Sequence, residues 1–231
     1  MTTGIRHLRE IDDLSPDEIT AVLDAAELPT FPAVLQRRGV ALLFEKPSAR
    51  TRNATEVAVA ELGGHPVSMR GEEVGFDTRE TVEDIARTLS CFHAAIAARV
   101  FDHATVERLV QAARVPVINL LSDAGHPTQA LADLLTLRQA KGRIEGLTIA
   151  YVGDFNNVAR SLALGASLMG ATVRVAAPTG YGPSSADHQR ARAAGGELVA
   201  GDDPMAAVDG ADAVYTDVWT SMGQEAERAA R

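Results

Sequence analysis

The chain has 231 residues, enough for one large domain or two ordinary ones, and 46% of them are hydrophobic while only 4% are aromatic, so the core must be mainly aliphatic. With 31 acidic against 22 basic residues the formal net charge is −9, which disfavours nucleic acid and anionic lipid as partners and requires any anionic ligand to be held by a local cluster of bases. Cys91 is the only cysteine, which excludes an intrachain disulfide, and no apolar run suits a signal peptide or a membrane span, so the expectation is a soluble, cytoplasmic protein without membrane partners.

Ser15-Pro16-Asp17-Glu18 reads as a capping box with proline at the first helical position, and Ile19, Val22, Leu23 and Ala26 follow at helical spacing. A short apolar strand is predicted over Gly39–Phe44, then a helix over 48–62 stopped by Gly63-Gly64. Helices over 81–92 and 105–113 alternate with buried strands over 94–98 and 115–120, and a helix over 126–140 follows. After the polar break Lys141-Gly142-Arg143-Ile144-Glu145-Gly146 the pattern restarts. Strands are expected at 147–152, 172–176, 197–199 and 213–216, with helices at 158–169 and near 186–194. Alternation of this kind predicts an α/β fold of two domains, 1–140 and 147–231, each a parallel sheet flanked by helices, the second incomplete. In such sheets ligands bind beyond the carboxyl ends of the strands. The polar clusters at 48–52, Arg99, 154–157 and 217–222 all fall at such ends.

Glu45-Lys46-Pro47-Ser48-Ala49-Arg50-Thr51-Arg52 follows a strand and opens a helix. A helix start offers unpaired N–H groups and a positive dipole end, Ser48 and Thr51 add hydroxyls, and Arg50 and Arg52 add charge in fork geometry. The ensemble suits a small phosphorylated ligand, although an ordinary N-cap beside solvated arginines would look the same. It is no Walker loop, since the glycines and the Gly-Lys-Ser/Thr ending are absent. For attack on a carbonyl carbon, Thr51, Arg99 and His126 are candidate donors to the carbonyl oxygen. Taken alone, Arg99 is also a solvated strand end and His126 a local hydrogen-bonding residue at a helix start.

These segments resemble the aspartate/ornithine carbamoyltransferase family. Residues 48–52 are similar to its Ser-Thr-Arg-Thr-Arg carbamoyl phosphate signature, with Ala49 where threonine is usual, and His126-Pro127-Thr128-Gln129-Ala130-Leu131-Ala132-Asp133 is very close to its His-Pro-x-Gln-x-Leu-x-Asp segment. The resemblance implies that Ser48, Ala49, Arg50, Thr51, Arg99, His126 and Gln129 hold carbamoyl phosphate. Thr51, Arg99 and His126 would be catalytic, Arg52 would support the grip, and Asp133 would serve helix packing. It further implies carbamoyl transfer to the δ-amine of L-ornithine, giving citrulline, because Asp217-Val218-Trp219-Thr220-Ser221-Met222-Gly223 matches the Asp-x-x-x-Ser-Met-Gly signature that separates ornithine enzymes from aspartate ones. Asp217 suits the α-ammonium, Asn157 and Ser221 the carboxylate, and Met222 the methylenes. A homotrimer is implied as well.

No His and Cys spacing supports a metal, and no cofactor is called for. A dinucleotide site after residue 147 is weakly supported, because Gly153-Asp154-Phe155-Asn156-Asn157 lacks Gly-x-Gly-x-x-Gly. Two departures stand out. The loop near 74–79 lacks the glutamine that family members often present to a neighbouring subunit, leaving Arg79 as a possible electrostatic substitute, and the family's later His-Cys-Leu-Pro segment is absent. The sequence therefore also admits a carbamoyl-phosphate-binding fragment that does not turn over, or an enzyme for a related amine. The fragment reading expects weak ligand binding and little citrulline from 1–231 alone. Cys91 is expected to be buried packing.

Overall fold

A computed structural model of the protein describes residues 4–219. It divides into two compact units, Met1–Thr128 and Gln129–Arg231, and each contains one four-stranded parallel sheet. The α/β class is therefore the predicted one. Among the described residues no helix is long and apolar enough to cross a membrane.

The first unit opens with a 3-10 turn, Ile11–Asp13, and α1, Pro16–Ala26, whose N-cap Ser15 and Glu18 form the expected capping box. There follow β1 (Gly39–Phe44), α2 (Ala49–Glu61), β2 (His65–Arg70), α3 (Gly71–Val74), α4 (Val82–Phe92), β3 (His93–Arg99), α5 (His103–Ala112) and β4 (Val117–Leu121). Helix α6, Pro127–Lys141, comes next. The strand order is β2-β1-β3-β4. β1 is apolar throughout because both of its faces are covered. Val40, Leu42 and Phe44 pack with Val59 of α2, while Ala41 and Leu43 pack with Val82 and Ala86 of α4 and Val106 and Leu109 of α5. The segment before the 3-10 turn extends the sheet, with the Leu8 amide donating to Val117 at 2.9 Å.

The second unit contains β5 (Thr148–Val152), α7 (Asn157–Leu168), β6 (Thr172–Ala176), α8 (Ser185–Ala193), β7 (Glu197–Gly201), α9 (Pro204–Val208) and β8 (Ala213–Tyr215), in strand order β7-β6-β5-β8. Helix α7 is buried from Ser161 to Ser167, which its small and aliphatic residues permit.

Besides the 3-10 turn at Ile11–Asp13, three elements, β2, α3 and α9, lie outside the predicted pattern. Cys91 is in the predicted helix α4, but its side chain is exposed, so the expectation of buried packing is corrected. The last turn of α4 runs past the core, and Phe92 beside it is 74% exposed.

Candidate active site

In each sheet the chain leaves the first strand toward one side and later returns to its other side. β1 lies between β2 and β3, and β5 lies between β6 and β8. The carboxyl ends of β1 and β3, and of β5 and β8, therefore flank a topological switch point, the place where open α/β sheets bind their ligands.

At the first switch point Phe44 of β1 is in register with Arg99 of β3. Ser48 caps α2 by accepting from the Thr51 amide at 3.2 Å, which places Ala49, Arg50 and Thr51 in the first helical turn. Arg99 is 7% exposed, and its guanidinium donates from Nη1 to Thr51 Oγ1 at 3.4 Å, near the long limit for such a bond. Its Nε is buried and has no hydrogen-bond partner among the described residues. An unmet buried donor costs about 1–3 kcal/mol, so a ligand oxygen there would be welcome. Burial, then repulsion from Arg50, lowers the pKa of Arg99. Lys46, 4.8 Å above the centre of the Phe101 ring, is likewise lowered by burial and by the charge of Arg99. His126 is buried, and desolvation, helped by Arg99, takes its pKa down to about 4. The imidazole is therefore neutral near pH 7, and Nδ1 lies 3.3 Å from Thr128 Oγ1. When that hydroxyl donates to Nδ1, the ring proton is on Nε2. Positive charge, a neutral N–H donor and helix-entrance amides thus converge on one strand end.

At the second switch point Gly153, with φ of +145°, makes the sharp exit from β5 that a side chain would resist. Asn156 caps α7 by accepting from the amides of Val158 and Ala159 at 2.9 and 3.1 Å. Its Nδ2 donates to Asp217 Oδ2 at 3.1 Å, tying the β5 exit to the residue just beyond β8. Tyr151 and Tyr215, directly paired between β5 and β8, stack with ring centres 5.7 Å apart. Asp133 Oδ1 accepts from Gln129 Nε2 at 2.9 Å. Burial above all, and the Asp217 charge, raise the Asp133 pKa to about 6, against the lowering effect of Gln129 and Tyr215. The phenols of Tyr151 and Tyr215 are pushed upward by burial first and by these carboxylates second.

The structure thus brings Ser48, Ala49, Arg50, Thr51, Arg99 and His126 together in the first unit. Arg52 is committed to Glu56 at 2.8 Å. Gln129 falls in the second unit and is bonded to Asp133. Asn157 is the first residue of α7 and its Oδ1 accepts from the Val158 amide at 3.1 Å, whereas the contact to Asp217 comes from Asn156. Ser221 and Met222 lie outside the described residues. Sequence reasoning left out Lys46 and Asn156 as site residues. The predicted helix start at 158 pointed to Asn157 as the N-cap; the helix begins one residue earlier, which makes Asn156 the cap. The loop at 75–80 is braced by Arg108, which pairs with Asp77 at 2.6 Å and Glu83 at 2.6 Å.

Residues 6–139 match the family model described as the aspartate/ornithine carbamoyltransferase carbamoyl-P binding domain, and residues 145–231 match its Asp/Orn binding domain. The chain is 49% identical to an ornithine carbamoyltransferase of Acidothermus cellulolyticus, over 98% of this chain and 76% of that protein. It is 50% identical to the one from Thermus thermophilus, over 98% of this chain and 75% of the relative. Among solved structures, the ornithine carbamoyltransferase from Pyrococcus furiosus superimposes with a TM-score of 0.91 at 43% identity, covering 100% of this chain and 77% of that one. With both halves matched in order and at this identity, the chain belongs to the aspartate/ornithine carbamoyltransferase family.

Proposed function

We propose that the protein transfers the carbamoyl group of carbamoyl phosphate to the δ-amine of L-ornithine, releasing citrulline and phosphate, the step that serves arginine biosynthesis. The amine nitrogen attacks the carbonyl carbon, a C–N bond forms, the C–O bond to phosphate breaks, and phosphate leaves with the electron pair and takes up the amine proton. Negative charge builds on the carbonyl oxygen during attack, so preorganised donors there lower the barrier. The observation that carries the reading is Arg99. This buried guanidinium has an unsatisfied Nε and stands beside Arg50, Thr51 and a neutral His126 at a helix entrance.

In this reading Ser48, the Ala49 and Arg50 amides, the Arg50 side chain and Thr51 bind the phosphate, and Arg99, His126 and Thr51 polarise the carbonyl. Gln129 binds the carbamoyl end. Asp217 receives the α-ammonium, with Asn157, Ser221 and Met222 on the rest of the amino acid. Asn156, which holds Asp217 in place, is a positioning residue. No cofactor or metal is called for in this mechanism. We place the domain division in 141–146; the matched family models, one ending at 139 and the next beginning at 145, support this reading, whereas the two compact units divide earlier, between Thr128 and Gln129. A cytoplasmic homotrimer follows from the family reading, and exposed apolar side chains such as Val57 and Phe92 are in keeping with subunit contacts; light scattering of the purified protein tests the trimer.

The test of function is a citrulline assay on the protein carrying this chain, with carbamoyl phosphate and L-ornithine, L-aspartate or an N-acylated ornithine as acceptor. The proposal expects kcat/KM for ornithine to exceed the others by at least a hundredfold, roughly what an unpaired buried charge costs. Preference for an N-acylated ornithine would identify the related-amine reading instead.

A further inference from the structure

We propose that His65 and His93 form a two-histidine site for a divalent late transition-metal ion, at the end of the first sheet opposite the candidate active site. Gly39 opens β1 and is in register with His65 of β2 on one side and His93 of β3 on the other. A side-chain carbon placed on Gly39 would sit 2.8 Å from His93 Nδ1 and 2.9 Å from His65 Nε2. Two ring nitrogens from separate strands therefore converge over the one residue that leaves room between them. They are not hydrogen-bonded to each other. His93 Nδ1 is buried with no partner among the described residues. A buried imidazole nitrogen without a partner carries a desolvation cost that a metal–nitrogen bond of about 2.0–2.1 Å would remove. His65 is exposed and supplies the route of entry.

Imidazole suits copper, nickel and zinc, and binding should follow the order in which Cu2+ exceeds both Ni2+ and Zn2+. Among the described residues no set of three His, Cys, Asp or Glu side chains is grouped to hold a metal, so water completes the coordination and the site is open rather than structural. The register runs from Gly39 at one end of β1 to Phe44 at the other, so the site is separate from Arg50 and Arg99.

Copper(II) titrated into the full chain, followed by electron paramagnetic resonance, should give one tight equivalent with hyperfine coupling to two imidazole nitrogens and a raised melting temperature. His65→Ala, at an exposed position where folding is not at stake, should weaken that site at least tenfold and remove one nitrogen coupling. His93→Ala should do the same, and Gly39→Ala should block the site sterically while Arg50→Ala leaves copper affinity within twofold. Circular dichroism on each variant identifies any that fails to fold, and His65→Ala then decides alone. Unchanged affinity and unchanged two-nitrogen coupling in His65→Ala, or no tight equivalent in the unmodified chain, would overturn the proposal.

Discussion

In the first unit Lys46, Arg50 and Arg99 crowd positive charge at the ends of β1 and β3, while in the second Asp133, Asp154 and Asp217 crowd negative charge around β5 and β8. Both clusters occupy the same topological place in the same kind of sheet. Helix entrances are positive in both, so the fold alone favours anions at each switch point. Side-chain choice overrides that bias in the second unit. The comparison teaches that topology decides where a ligand can bind, and the sign of the gathered side chains decides which one. Burial first, and repulsion within each cluster second, lowers Arg99 and Lys46 on one side and raises Asp133 on the other. A ligand of opposite charge relieves that repulsion, so binding and site electrostatics are coupled.

Breaking either half should affect one ligand and spare the other. The largest effect is expected for Asp217→Asn, which should lower kcat/KM for ornithine at least a hundredfold while carbamoyl phosphate affinity, measured by calorimetry, stays within about twofold. Equal losses for both ligands would mean that Asp217 holds the β5–β8 region together rather than recognising an ammonium. Next comes Arg50→Ala, expected to weaken carbamoyl phosphate binding by about 2 kcal/mol, roughly thirtyfold, through loss of a charge-assisted contact. Unchanged affinity in a folded variant would remove Arg50 from the phosphate site.

Two pH experiments sharpen the same contrast. His126 titrates near 6.5 when unfolded and at about 4 when folded. The unfolded chain therefore binds more protons between these values, and stability falls as pH drops from 6.5 to 4. His126→Gln should abolish that part of the acid sensitivity, on the order of 2 kcal/mol, read from urea midpoints across the window. Asp133 runs the other way, from 3.8 unfolded to about 6 folded. Its stabilising proton is fully bound below 3.8 and lost as pH rises through 6. Asp133→Asn should thus stabilise the protein above pH 6 by on the order of 3 kcal/mol and have little effect near pH 4. A uniform shift at all pH values would show packing rather than ionisation.

How much of this was legible in the sequence depended on how local each interaction is. β1 and β6 coincide with their predicted spans, β1 because it is a continuous apolar run and β6 because Val173 and Val175 alternate with Thr172 and Arg174 between Gly170 and Pro178. β2 was illegible because His65-Pro66-Val67-Ser68-Met69-Arg70 mixes a proline with polar residues, which a sheet tolerates only at an edge, and its edge position is a matter of strand order. α3 and α9 span too few residues to show a period.

By itself the sequence determined the α/β class with two parallel sheets and the anion-suited helix entrance at 48–52, because capping boxes, apolar periodicity and helix-entrance chemistry act over a few residues, while the acceptor motif was legible only through family resemblance. Only tertiary structure decided which of two neighbouring asparagines reaches Asp217, since that contact joins positions 61 residues apart through the pairing of β5 with β8. It alone set Arg99 against Thr51, 48 residues away, and left its Nε unsatisfied. Burial likewise made His126 neutral and Asp133 a weak acid, and brought His65 and His93 together over Gly39. Desolvation and convergence are properties of a packed interior, and a residue acquires them only when distant strands close around it.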